Sequence, residues 1–498
     1  MKTCRSVLTA SVAFLAIACT GKEEARFDAT WESLQAYECP EWFRDAKFGI
    51  YLHWGPYSAS LGPRNTDWYS RNMYKKGSKQ NVYHEETYGS LKEFGYKDFI
   101  PMFTAENFDP EEWAELFVES GARFAGPVAE HADGFAMWDS EITKWNAKDM
   151  GPKRDVVAEL EKAIRAKGLK FMTSFHHQWK WGWYPTMDTS TDTSNPEYEG
   201  LYGPPVPNSA FGVKGRKAYN PFPAPSHEFA AEWRDKVEEV VEAYSPDMIW
   251  FDNRMQILPE KYIQEMAAHF YNHSEAEGLD YVLTFKRPDM PLGTGTVDLE
   301  RSRMPEIYPE PWLMDSSISR TTWSYAGGIE YYSTARIIHD LADVVSKNGN
   351  MLLNLAPMAD GTIPEEQKRI MREIGAWLKV NGEAIYGTRP WLIYGEGPTE
   401  TLVGHLSDLK FDGFKAEDIR FTTKDGVLYA IAFGWPEDGK EVKIKSLSLT
   451  DCNEEIAKVS LLGHRGKLKF EQRKEELAIQ LPKKKPGDHA FVFKILIK

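Results

Sequence analysis

Between about Trp42 and Ile385, short apolar runs alternate with amphipathic stretches. The runs are Phe48 to Trp54, Phe124 to Glu130, Leu169 to His177, Met248 to Asp252, Tyr281 to Phe285 and Met351 to Pro357. Runs that stay apolar residue after residue predict strands buried on both faces, the kind that make parallel sheets. One unit shows the grammar. Asp155 is placed to cap a helix whose Val156, Leu160 and Ile164 recur every four residues; Gly168 ends it, and Leu169-Lys170-Phe171-Met172 opens the next strand. Strands and helices in this alternation predict parallel βα units, and hence a (β/α)8-like (TIM-type) barrel over residues 25–390 with long insertions. One insertion, Tyr184 to Tyr219, is rich in Thr, Asn, Pro and Gly and predicts a loop across one end of the barrel.

From Trp391 the runs become short and alternating: Val427 to Phe433, Val442 to Leu449, Leu477 to Leu481 and Phe491 to Ile497, with a turn signal at Pro436-Glu437-Asp438-Gly439. That pattern predicts an antiparallel β-sandwich over residues 391–498. At 498 residues the chain is too long for one ordinary core, so a barrel with a smaller second domain fits its size.

The first residues read as a targeting segment. Lys2 and Arg5 precede an apolar stretch from Val7 to Ala18, too short to span a bilayer, that ends in small residues at Cys19. Ala16-Ile17-Ala18-Cys19 resembles a bacterial lipobox, and a plain secretory signal is the alternative. Residues 1–24 are therefore assigned to a signal and linker. Either route puts the mature chain outside the cytoplasm, in the periplasm or on the outer membrane, with a lipid at Cys19 as its only expected membrane attachment. Cys39 and Cys452 are then too far apart in sequence to read as a disulfide framework or a metal motif. A formal charge of -14 leaves no basic field for nucleic acid.

Candidate chemistry sits at the strand ends. His53-Trp54, Glu130-His131, His176-His177 and Asp252 each terminate an apolar run, and Asp298, Glu300, Glu306 and Glu310 follow further on. A barrel collects such residues at its C-terminal mouth. Asp252 alone reads equally as a helix cap, and a single terminal His as a structural residue. The four histidines could ligate a metal, but none has helical metal-ligand spacing, and their Trp neighbours, from a chain with 17 Trp, suit a sugar better. There is no phosphate loop and no Gly-x-Ser-x-Gly elbow.

The blocks Phe43 to Gly55, Asp67-Trp68-Tyr69, His131-Ala132-Asp133-Gly134-Phe135, Ile249 to Asp252, Val344 to Asn354, Asp360 to Pro364 and Gly382 to Gly387 resemble the signatures of the α-L-fucosidase family, family 29 of the glycoside hydrolases. The resemblance implies a retaining exo-glycosidase without metal or cofactor, acting on glycans that end in an α-L-sugar. It implies Asp252 as nucleophile, His53, His131, Trp68 and Trp250 as sugar-binding residues, and Glu300 as acid/base, with Glu306 and Glu310 left open. Trp54, His176, His177 and Arg254 complete the expected substrate-binding set, with Arg254 or an imidazole expected to keep Asp252 ionised. Two departures bear on specificity: Ala132 stands where many members carry a second His, and Asp298-Leu299-Glu300-Arg301 is compressed. An α-L-glycosidase for another L-hexose is therefore an alternative, and a silent glycan-binding barrel is a second. The oligomeric state is not legible.

Overall fold

The computed structural model describes residues 26–207, 211, 215–436, 439–452 and 454–498. The signal segment with Cys19, its linker through Glu24 and part of the turn at Pro436 to Gly439 lie outside the described residues. Eight strands close into a barrel in chain order: β1 (Phe48–Leu52), β2 (Phe124–Glu130), β3 (Lys170–Phe175), β4 (Met248–Phe251), β5 (Val282–Lys286), β6 (Thr296–Asp298), β7 (Trp312–Ser317) and β8 (Gly349–Leu355). Every neighbouring pair is parallel, and β8 returns to pair with β1 through Leu52 and Leu355. Six strands coincide with the apolar runs.

The other two, β6 and β7, gave no such signal. β6 is only three residues long, and β7 is half polar, with Asp315, Ser316 and Ser317 all buried. Their polarity is tolerated because it is bonded internally: the Asp315 N–H donates to Asp298 Oδ1, and the Ser317 hydroxyl to the Thr322 carbonyl. Among the described residues no helix separates β5 from β6 or β6 from β7.

The helix at Val156–Ala166 forms as its spacing predicts. Asp155 accepts from the Ala158 N–H as N-cap, Val156, Leu160 and Ile164 are buried, and Gly168 takes the left-handed φ of 77° that ends the turn. Longer helices at His227–Tyr244 and Glu260–Ala276 follow β3 and β4, and those at Thr334–Ser346 and Glu365–Asn381 follow β7 and β8. No described helix is long and apolar enough to cross a membrane. Cys39 and Cys452 are free.

The C-terminal domain is an antiparallel sandwich. Its larger sheet runs in the order β13 (Ile456–Leu461), β16 (Phe491–Ile497), β11 (Val427–Ala432), β10 (Ile419–Lys424), β9 (Arg389–Glu396); the smaller is β12 (Glu441–Ile444), β15 (Leu477–Gln480), β14 (Phe470–Gln472). Alternation explains both faces of β11: Leu428, Ala430 and Ala432 enter the sandwich core, whereas Tyr429 and Ile431, with Phe433 just past the strand, join the barrel's core. At this junction the Asp343 carboxylate is buried between Lys347, Arg420 and Arg303.

Candidate active site

A cavity of about 680 Å³ opens at the C-terminal ends of the barrel strands, the size of a small-molecule site. Each strand delivers its contribution by ending there. His53 follows β1, His131 follows β2, His176 follows β3, Asp252 follows β4, Lys286 ends β5, Glu300 lies just past β6 and Asp315 lies within β7. Loops add Trp68, Trp179, Tyr219 and Trp323 to the walls.

Lys286 organises the floor. Its ammonium lies 2.9 Å from Glu300 Oε2, 3.3 Å from Asp315 Oδ1, and 3.6 Å from both Asp252 Oδ1 and Asp298 Oδ2. One positive charge is thus divided among four carboxylates, which do not share it equally. Burial works against the charged form of Asp252, but Lys286, His176 and the Asn253 N–H outweigh it and hold this carboxyl well below the usual range. Burial raises Glu300, and the Asp315 and Asp252 carboxylates reinforce that shift against the pull of Lys286. Asp298 is likewise pushed well up by burial and by Asp315. Lys286 thus touches together an acid held ionised, Asp252, and an acid pushed toward its protonated form by burial, Glu300.

The opposite wall is built of imidazoles and indoles. His53, His131 and His176 each bring one ring nitrogen within 4.8 Å of the others', an arrangement that could hold a metal ion or grip neighbouring hydroxyls. His53 Nδ1–H donates to Asn354 Oδ1 at 2.8 Å, because the Asn354 amide nitrogen is committed to the Trp323 carbonyl and Ser317. His53 Nε2 therefore carries a lone pair. Burial and the crowding of rings keep His53 and His131 neutral. His131 Nδ1, His176 Nε2, Trp179 Nε1, Trp250 Nε1 and Asp67 Oδ1 are all buried without a hydrogen-bond partner, and all belong to cavity-lining residues. Each such orphan costs on the order of 1–3 kcal/mol unless a bound polar molecule satisfies it. The pocket is built for a ligand rich in hydroxyls.

The sequence model of the family described as Alpha-L-fucosidase matches residues 14–383, and that of the Alpha-L-fucosidase C-terminal domain matches residues 413–496. The chain belongs to the α-L-fucosidase family. It is 31% identical to a tissue alpha-L-fucosidase of Rattus norvegicus over 92% of this chain and 89% of the rat protein. It is 30% identical to a plasma alpha-L-fucosidase of Homo sapiens, over 90% and 86%. The fold is similar to that of a Thermotoga maritima alpha-fucosidase in complex with a mechanism-based inhibitor, with a TM-score of 0.75 and 29% identity over 95% of this chain and all of that one. The protein is accordingly a glycoside hydrolase.

Within this fucosidase-family site, His53, Trp68, His131, His176, Trp250, Asp252 and Glu300 meet as expected. Glu306 and Glu310 are exposed and do not line the cavity. Three expected substrate contacts need correction. Trp54 turns into the core against Phe103, Phe108 and Trp113, its indole N–H held by the Met358 carbonyl at 2.6 Å. His177 follows His176 directly, so it faces the other way, donating Nε2–H to the Trp233 carbonyl. Arg254 does not stand beside Asp252. Its guanidinium is spent on the carbonyls of Ala218, Trp179 and Trp181, and its φ of 89° is left-handed. It steadies the Trp179 wall, over whose ring it lies at 4.7 Å. The role expected of Arg254 or an imidazole is filled by Lys286 together with the His176 imidazole. Sequence reasoning missed Lys286 because a lysine directly after the apolar Tyr281 to Phe285 reads as a strand leaving the core; its only signal is its place at a strand end.

Proposed function

We propose that the protein is a retaining exo-α-L-fucosidase in which Asp252 is the nucleophile and Glu300 the acid/base. The observation that carries the reading is the pair itself: two carboxyls bridged by Lys286, one held ionised and the other pushed toward its protonated form by burial. Retaining hydrolysis needs two carboxyl groups roughly 5–5.5 Å apart in those two states. Asp252 attacks the anomeric carbon while Glu300 gives its proton to the departing oxygen. Water then resolves the glycosyl–Asp252 ester with Glu300 acting as base. His53, His131 and His176 hold the sugar hydroxyls, and Trp250 and Trp68 its faces.

Ala132 favours a second reading within the same chemistry. It is buried next to His131, behind the cavity lining, and stands where the family resemblance implies an imidazole in many members, so a sugar differing from fucose at one hydroxyl is a candidate for the better substrate. The test is initial rates on aryl α-L-fucoside beside other aryl α-L-glycosides. Turnover of the fucoside supports the first reading; a faster L-hexoside supports the second. No turnover of any member would leave a glycan-binding barrel. We further infer an extracytoplasmic lipoprotein from Lys2, Arg5 and the apolar stretch before Cys19; Cys19→Ala should release the protein from the membrane fraction.

A further inference from the structure

Residues 401–411 belong to the stretch between β9 and β10, yet they cross to the mouth of the barrel. The Leu406 N–H donates to the Glu300 carbonyl at 3.1 Å, the Asp408 N–H to the Arg301 carbonyl at 3.0 Å, and the Gly404 N–H to Ser302 Oγ at 3.1 Å. Asp408 also pairs with Arg301. This segment is therefore pinned along the three residues that begin with Glu300. It sets His405 Nδ1 3.7 Å from Glu300 Oε2, with 59% of the imidazole side chain still exposed. His405, Leu406 and Leu409 line the cavity's rim. Neither family match reaches the segment, since one stops at residue 383 and the other starts at 413.

Geometry gives the segment its place in the reaction. Glu300 is faced by Lys286, Asp315 and Asp252 on the floor side, and by His405 on the open side. If Glu300 protonates the glycosidic oxygen, the group leaving with that oxygen departs past Glu300 toward solvent, and so past His405. A second cavity of about 650 Å³ shares Arg320 and Leu409 with the first and continues outward to Tyr331 and Tyr332. The rim offers what a pyranose needs: an imidazole for a hydroxyl, and leucine methyls for its C–H face.

We propose that residues 402–409 form the leaving-group subsite, in which His405, Leu406 and Leu409 hold the sugar released from the fucosyl residue, with the rest of the glycan running into the second cavity. The proposal rests on the reading of Glu300 as acid/base. The bond balance is that of hydrolysis: the Glu300 proton goes to the glycosidic oxygen, the bond from that oxygen to the anomeric carbon breaks, Asp252 takes the carbon, and the departing sugar leaves as a neutral alcohol.

The experiment compares wild type, His405→Ala, His405→Gln and Leu409→Ser on two substrates. One is an aryl α-L-fucoside, whose leaving group has no sugar to hold. The other is the best-cleaved member of a panel of α-L-fucosyl disaccharides of galactose and N-acetylglucosamine. For His405→Ala and Leu409→Ser, kcat/KM on the disaccharide should fall about tenfold further than on the aryl glycoside, the scale of one lost hydroxyl or methylene contact. His405→Gln, which keeps a hydrogen-bonding group, should recover part of that ratio. Equal losses on both substrates, or none on either, overturn the subsite. Wild-type protein that cleaves neither substrate overturns the fucosidase reading on which the subsite rests, and the subsite with it.

Discussion

On the floor of the cavity a single ammonium serves four carboxyls, and its removal should be felt by each in proportion to its contact. Lys286→Met takes away the largest influence holding Asp252 down, so Asp252 rises from its depressed value against the remaining hold of His176 and the Asn253 N–H. Glu300 loses the larger of the two influences, Lys286 and His405, that oppose its upward shift, so it rises too. Both limbs of the pH–rate profile should therefore move to higher pH, and kcat at the optimum should fall by about 10²–10³, the usual cost of losing a buried electrostatic partner. Initial rates across the pH range check this. A profile of unchanged shape with lower amplitude would mean that Lys286 only supports the fold. Asp252, His53, His131 and His176 were legible because each closes an apolar run. Lys286, Asp315 and His405 were not, because their roles depend on which strand ends become neighbours, and no local pattern states that.

At the scale of elements, the helix Val156–Ala166 shows how local signals sufficed. Asp155 caps it through Oδ1 and also accepts from the Tyr244 hydroxyl through Oδ2 at 2.7 Å, tying it to the neighbouring helix His227–Tyr244. Asp155→Ala should cost about 1 kcal/mol for the cap, with some addition for the tyrosine left unpaired. Denaturant unfolding read by circular dichroism measures it; no change in midpoint would show that the cap is replaced by solvent. The strands β6 and β7 mark where pattern reading ran out. A three-residue strand carries no periodicity, and a strand whose Asp315 and Ser317 are paired inside the barrel looks, residue by residue, like a surface loop. The same short β6 brings Asp298 and Glu300 close together at the barrel mouth, which is why the compressed motif still delivers an acid to the cavity.

The whole molecule is held together across a charged seam. Asp343 on the helix Thr334–Ser346 meets Arg420 of β10 at 2.6 Å, with Lys347 and Arg303 beside it, all buried. Burial alone would raise this carboxyl, but the three cations win and bring it down to about 2. A folded-state value below the unfolded one means stability that is present above about pH 4 and lost as pH falls through about 2, amounting to about 2 kcal/mol. Asp343→Asn leaves the buried Lys347 and Arg420 without their carboxylate, Arg303 keeping Asp340 at 3.0 Å, and should lower stability by about 3–5 kcal/mol at neutral pH, with the gap to wild type narrowing below about pH 3 as the wild-type carboxyl protonates. Tm against pH for both proteins tests it, and a gap independent of pH would contradict the assignment. The same seam lets the C-terminal domain send residues 401–411 back over the barrel. A sandwich was legible from its alternating runs; its reach into the active site was not, because the segment responsible is neither strand nor helix along most of its length.

The central claim, that Asp252 attacks and Glu300 shuttles the proton, is tested most directly by the stereochemistry of azide rescue. With an activated aryl α-L-fucoside, Asp252→Ala should regain turnover in azide by direct displacement and give the β-L-fucosyl azide. Glu300→Ala should form the Asp252 ester, accumulate it, and release it to azide as the α-L-fucosyl azide. Nuclear magnetic resonance of the two products distinguishes them. The α-L azide from Asp252→Ala, or near-native cleavage of a poor leaving group by Glu300→Ala, would contradict the account.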